Sequence, residues 1–112
     1  MQVLLLLWGD EVAERAMSPA ERRAVVERHA AFAERLRARG ALRAGAALGA
    51  SADGKLVRPA EGLVTDGPFA ETKEQLGGLY LVDCADLQEA VGWALELPRS
   101  PGLVVEVRPL AG

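Results

Sequence analysis

Leu79-Tyr80-Leu81-Val82-Asp83-Cys84 is apolar on both sides of an extended chain. Alternate residues of a strand point to opposite faces, so Leu79 and Leu81 share one face while Tyr80, Val82 and Cys84 share the other. The opening run Val3-Leu4-Leu5-Leu6-Leu7-Trp8 has the same property, with no alternation before Gly9-Asp10 halts it. Strands of this kind need a cover on each face. Downstream of Cys84, Asp86 and Glu89 stand at capping-box spacing and start a helix to about Leu97. Pro98 to Gly102 forms a loop, and Leu103 to Val107 is the last strand.

Upstream, Ser18-Pro19-Ala20-Glu21 is a helix start with a mechanism: Ser18 caps, Pro19 suits the first helical position, and Glu21 completes the box. The helix runs to about Arg39, where Gly40 takes the left-handed C-terminal position. Val25, His29, Phe32 and Leu36 form one stripe on it, while Arg22, Glu27, Glu34, Arg35 and Arg37 mostly take the wet side. Ala41 to Leu48 reads as a weak strand. Lys55–Arg58 and Leu63–Thr65 flank the turn Pro59–Gly62 as a hairpin, and Asp66-Gly67-Pro68-Phe69 breaks any strand. Ala70 to Leu76 is polar and charged and receives no element.

The order is strand, helix, strand, hairpin, strand, helix, strand. This predicts an α+β fold, a split βαββαβ unit with an extra hairpin and two helices on one face of an antiparallel sheet. Two helices cover one face only. A chain of 112 residues, one domain over 1–112, has no further layer for the other. Homodimerisation through the open sheet face is the expected solution.

Composition narrows the function classes. Half the residues are hydrophobic, 26% are charged, and the formal net charge is −3. A weakly acidic balance without a Lys/Arg block argues against nucleic acid or an anionic membrane as partner. The basic residues are 11 Arg and 2 Lys, a bias that reflects a GC-rich bacterial coding sequence rather than phosphate recognition. One cysteine and one histidine make neither an internal disulfide nor an ordinary structural zinc site, so no metal or cofactor is expected. The longest apolar run is far below the ~18 residues of a membrane span and lacks a leader's basic start, which gives a cytoplasmic address.

His29 is the one side chain whose ordinary pKa lies near neutrality, so any ordinary proton shuttle runs through it. Its place on the apolar stripe admits two readings. One is a core histidine satisfied by a backbone carbonyl; the other is a general acid/base at a pocket floor, oriented by a carboxylate. Asp66 is the candidate carboxylate, either closing an Asx-turn on its own downstream amide or aimed at His29 to fix its tautomer. Trp8, Phe69 and Tyr80 are candidate substrate-binding aromatics, with core packing as the other reading. No serine completes a triad, and Cys84 has no visible activator.

Val64-Thr65-Asp66-Gly67-Pro68-Phe69-Ala70-Glu71-Thr72-Lys73-Glu74-Gln75-Leu76-Gly77-Gly78-Leu79-Tyr80 resembles the YCII-related family in its DGPF branch. The likeness extends to the opening Leu-Leu-Leu-Trp-Gly-Asp, to Met17-Ser18-Pro19 with His29, and to Val105-Glu106-Val107-Arg108-Pro109. Arg43 to Gly62 is short and divergent. The resemblance implies a ferredoxin-like fold pairing into a dimeric α+β barrel. It also implies an active site of a histidine and an aspartate, here His29 and Asp66. Relatives include lyase-like enzymes on ring compounds, and genes of this branch tend to adjoin those of extracytoplasmic-function sigma factors. The expected function is cofactor-free acid/base chemistry, of lyase or isomerase type, on a small molecule. The alternative is a non-catalytic dimeric module that binds a small ligand or a partner in sigma-factor or stress regulation. RNA binding is disfavoured by the missing basic face and stacking aromatics.

Overall fold

A computed structural model describes residues 1–112. Its central sheet has four antiparallel strands in the order β2-β5-β1-β6, formed by β1 (Gln2–Asp10), β2 (Leu42–Ala47), β5 (Glu74–Asp83) and β6 (Val104–Pro109). The long helices are α2 (Pro19–Ala38) and α3 (Leu87–Leu95). This is an α+β architecture consistent with a ferredoxin-like fold. The hairpin of β3 (Lys55–Arg58) and β4 (Leu63–Asp66) forms a separate two-stranded sheet.

The local start signals act as their chemistry requires. Ser18 Oγ accepts from the Glu21 amide at 3.1 Å, and the Glu21 carboxylate accepts from the Ser18 amide at 3.3 Å. Gly40 closes α2 at φ +66°. At α3, Asp86 Oδ1 accepts from the Glu89 amide at 2.8 Å; the Glu89 carboxylate reaches back to the Ala85 amide, one residue before the cap.

Four expectations are corrected. Gly9-Asp10 does not halt β1, which pairs with β5 through Asp10↔Glu74. Asp10 then caps an additional five-residue helix, α1 (Glu11–Arg15), by accepting from the Ala13 amide at 3.1 Å. β5 begins at Glu74, inside the charged stretch given no element, and ends at Asp83, so Cys84 lies just past it. The last strand is shifted to Val104–Pro109.

The core lies between the helices and one sheet face. Val3, Leu5 and Val82 meet Phe32 and Leu36 of α2, all fully buried, with Ala90 of α3 closing the other side. Phe32 sits edge-on to Tyr80 and Trp93, with ring centroids at 5.2 and 6.0 Å. On the opposite face Leu4 pairs with Leu81 and Leu6 with Leu79, and all four are half-buried. The molecule is thin, 44 × 41 × 17 Å. Its radius of gyration of 15.4 Å exceeds the ~13 Å of a compact chain of about this size, because the β3–β4 hairpin projects with Val57, Leu63 and Val64 exposed. The foot of this arm is fixed. The Gly67 amide donates to Gly54 O at 2.8 Å, and a Cβ on Gly67 would lie 2.5 Å from Ser51 O, so only glycine fits.

Candidate functional site

α2 carries His29 five-sixths of a turn before Phe32, which places the imidazole where the apolar stripe reaches the edge of the core. A cavity of about 420 Å³ opens there. Its polar walls are Glu11, Glu14, Arg15, Arg22, His29 and Ser100; its apolar walls include Leu7, Trp8 and Leu48. A second cavity of about 360 Å³ shares His29 and Leu7 and is lined by Tyr80. Both are of the size that takes a small molecule.

His29 Nδ1 lies 2.8 Å from the Tyr80 hydroxyl, and the two rings are nearly parallel with centroids 5.9 Å apart. Nδ1 is the one ring nitrogen with a hydrogen-bond partner in the protein, which leaves Nε2 for a ligand. Burial lowers the His29 pKa from its ordinary 6.5, so the imidazole is neutral at pH 7. Burial raises the Tyr80 pKa, which keeps the phenol protonated. When Nδ1–H donates to the Tyr80 oxygen, Nε2 presents its lone pair and can accept a proton. His29 is therefore neither of the two arrangements drawn from sequence: its partner is a side-chain hydroxyl, not a backbone carbonyl and not a carboxylate.

The other sequence candidates are placed as follows. Asp66 ends β4 at the foot of the arm, hydrogen-bonded to Lys55, with its side chain 75% exposed. It does not line the His29 cavities, and no hydrogen bond joins it to His29. Phe69 is 84% exposed, just beyond the cis Gly67–Pro68 peptide. Trp8 contributes to the cavity wall, and its indole N–H donates to Glu106 Oε1 at 3.1 Å. The chain thus brings Trp8, His29 and Tyr80 together around one region and leaves Asp66 and Phe69 outside it.

Two contributors escape sequence reasoning. Tyr80 hydrogen-bonds His29, although it is read from sequence as a substrate-binding or a core aromatic. Glu14, on the unpredicted α1, faces the cavity with its pKa raised, first by burial and then by the Glu11 and Asp10 charges. Glu11 itself is held by Ser51, accepting from its amide at 3.1 Å and its hydroxyl at 3.0 Å, which ties the cavity wall to the foot of the arm. No helix is long and apolar enough to cross a membrane.

The model of the YCII-related domain matches residues 1–111. An uncharacterized protein of Rhizobium meliloti (strain 1021) is 57% identical over 53 residues, 46% of this chain. The match spans 43% of that protein's length.

Proposed function

The chain belongs to the YCII-related family, and from that premise we propose that this member, of the DGPF branch, is a small cytoplasmic bacterial enzyme that moves protons on a small molecule. His29 is the base. It takes a carbon-bound proton beside a carbonyl through Nε2, then returns it to another carbon in an isomerisation or stands by while a leaving group departs in an elimination. The observation that carries this reading is the His29–Tyr80 pair: a neutral imidazole, fixed through Nδ1 at 2.8 Å, at the wall of a cavity of ligand size. Tyr80 takes the orienting role that the family resemblance implies for Asp66. Trp8 lines the substrate's space, and no cofactor is invoked.

A homodimer through the open sheet face is part of the reading. Leu4, Leu6, Leu79 and Leu81 are the apolar centre of that face, and a second copy supplies the layer the chain lacks. Asp66 and Phe69, which stand outside their own cavity, enter as residues offered outward to that copy.

A second reading, a non-catalytic ligand-binding or partner-binding dimer in stress regulation, is favoured by one observation: His29 is paired with a neutral phenol and not with a carboxylate that would strengthen it as a base. Deuterium incorporation from D2O into a panel of small carbonyl compounds with acidic C–H bonds separates the two. Catalysed exchange by the wild type that is lost in His29→Asn supports the enzyme. Exchange by neither protein overturns it in favour of the binding module.

A further inference from the structure

We propose that Glu14 is a second proton-carrying group of the His29 cavity, the donor that completes a transfer His29 begins. The inference rests on the proton-transfer reading above and deepens it, because it selects isomerisation: one group removes a proton and another delivers one at a different atom.

The geometry begins with two glycines. Gly9 is buried on β1, and a Cβ there would lie 2.3 Å from Glu14 Oε1. Gly77 stands at the register shift between β1 and β5, and a Cβ there would lie 4.0 Å from Glu14 Oε2. The carboxyl therefore rests on a shelf of bare backbone at a β-bulge, a device that re-aims side chains beside functional sites. α1 holds it there: Asp10 caps the helix at one end, and Arg22 Nη2 donates to the Glu14 and Arg15 carbonyls at 3.4 Å at the other.

Every charged neighbour is otherwise engaged. Arg15 pairs with Glu11 at 3.8 Å, Lys73 with Asp10 at 3.5 Å, and Arg22 with backbone carbonyls. The Glu14 carboxyl alone has no hydrogen bond or ion pair, yet it lines the cavity. The surroundings favour its protonated form, since burial and the charges of Glu11 and Asp10 all act in that direction. His29, facing from α2, lines the same cavity.

A β,γ-unsaturated carbonyl compound uses both. His29 Nε2 takes the α-proton, the electron pair moves into the dienolate, and the Glu14 carboxyl gives its proton to the γ-carbon as the double bond shifts into conjugation. Imidazolium and carboxylate then exchange protons with water, and the protein returns to its starting state with no oxidant or reductant required.

The test has two arms. In the first, the Glu14 carboxyl carbon of 13C-labelled protein is titrated by NMR, assigned with Glu14→Gln, in the wild type and in Gly9→Ala. The new methyl collides only with the end of a flexible side chain, so Gly9→Ala folds but loses the shelf. A raised midpoint that falls back toward 4.5 in Gly9→Ala is the expected result. An ordinary midpoint, or one that Gly9→Ala leaves unmoved, overturns the inference. In the second, cyclohex-3-en-1-one in D2O is followed by NMR for α-deuteration and for conversion to the conjugated isomer. Glu14→Gln is expected to slow conversion about a hundredfold or more while deuteration persists, and His29→Asn to lose both. Equal conversion by Glu14→Gln overturns the role of Glu14 and leaves the proton-transfer reading standing. Neither process in the wild type, here and across the carbonyl panel, overturns that reading and the role of Glu14 with it.

Discussion

Tyr80→Phe removes one oxygen from the site and little else. The ring stays edge-on to Phe32 at 5.2 Å, so core packing survives, while His29 Nδ1 loses its partner at 2.8 Å. A neutral hydrogen bond contributes about 1 kcal/mol and one to a charged group about 1.5–3 kcal/mol. Losing the Tyr80 bond therefore penalises imidazolium more than imidazole, by about 0.5–2 kcal/mol before water is considered. At 1.36 kcal/mol per pKa unit this corresponds to about 0.4–1.5 units, and water reaching the half-buried ring leaves about half a unit. The His29 pKa, already lowered by burial, is expected to fall further, with a stability loss of about 1 kcal/mol. Because the chain has one histidine, its Cε1–H signal needs no assignment, and a pH titration of both proteins by 1H–13C NMR gives the difference directly. An unchanged or higher midpoint in Tyr80→Phe would refute the claim that the phenol holds the ring.

Stability should depend on pH through two groups of opposite sign. His29 has a folded pKa below 6.5, so between the two values the unfolded chain binds a proton the folded one refuses, and stability falls as pH drops through 6.5; His29→Asn should flatten that part of the urea-midpoint profile. Glu14, raised above 4.5, makes stability fall as pH rises through its folded pKa, a component that Glu14→Gln should remove. Phe32→Ala empties the centre of the core and should cost about 3–5 kcal/mol in chemical denaturation. By light scattering the wild type is expected to be a dimer and Leu6→Glu, on the open sheet face, a folded monomer; an unchanged mass would remove that face as the interface.

What the sequence discloses follows from how local each feature is. Ser18 with Glu21, Gly40, and the Pro59–Gly62 turn act within a few residues, and each lies where local chemistry puts it. The two-faced apolar character of β1 and β5 likewise identifies the strands that lie side by side at the sheet centre. The start of β5 is hidden because Glu74 pairs at the wet end of β1, where burial leaves no pattern. α1 is hidden because five residues carry no period, and its cap Asp10 reads equally well as a strand stop. His29 is legible as a candidate, being the only histidine of the chain. Its partner is not, since Tyr80 lies 51 residues away and reaches it only through the pairing of β5 with β1 and the seating of α2. Glu14 depends on the same long-range placement: its shelf joins Gly9 of one strand to Gly77 of another.

The pH dependence of deuterium exchange, set against the NMR titration of His29, tests the central claim most directly. If neutral His29 is the base, the exchange rate rises with pH to a plateau, its midpoint coincides with that of the imidazole below 6.5, and His29→Asn abolishes it. A rate that stays flat while His29 titrates, or that persists in His29→Asn, would contradict the account.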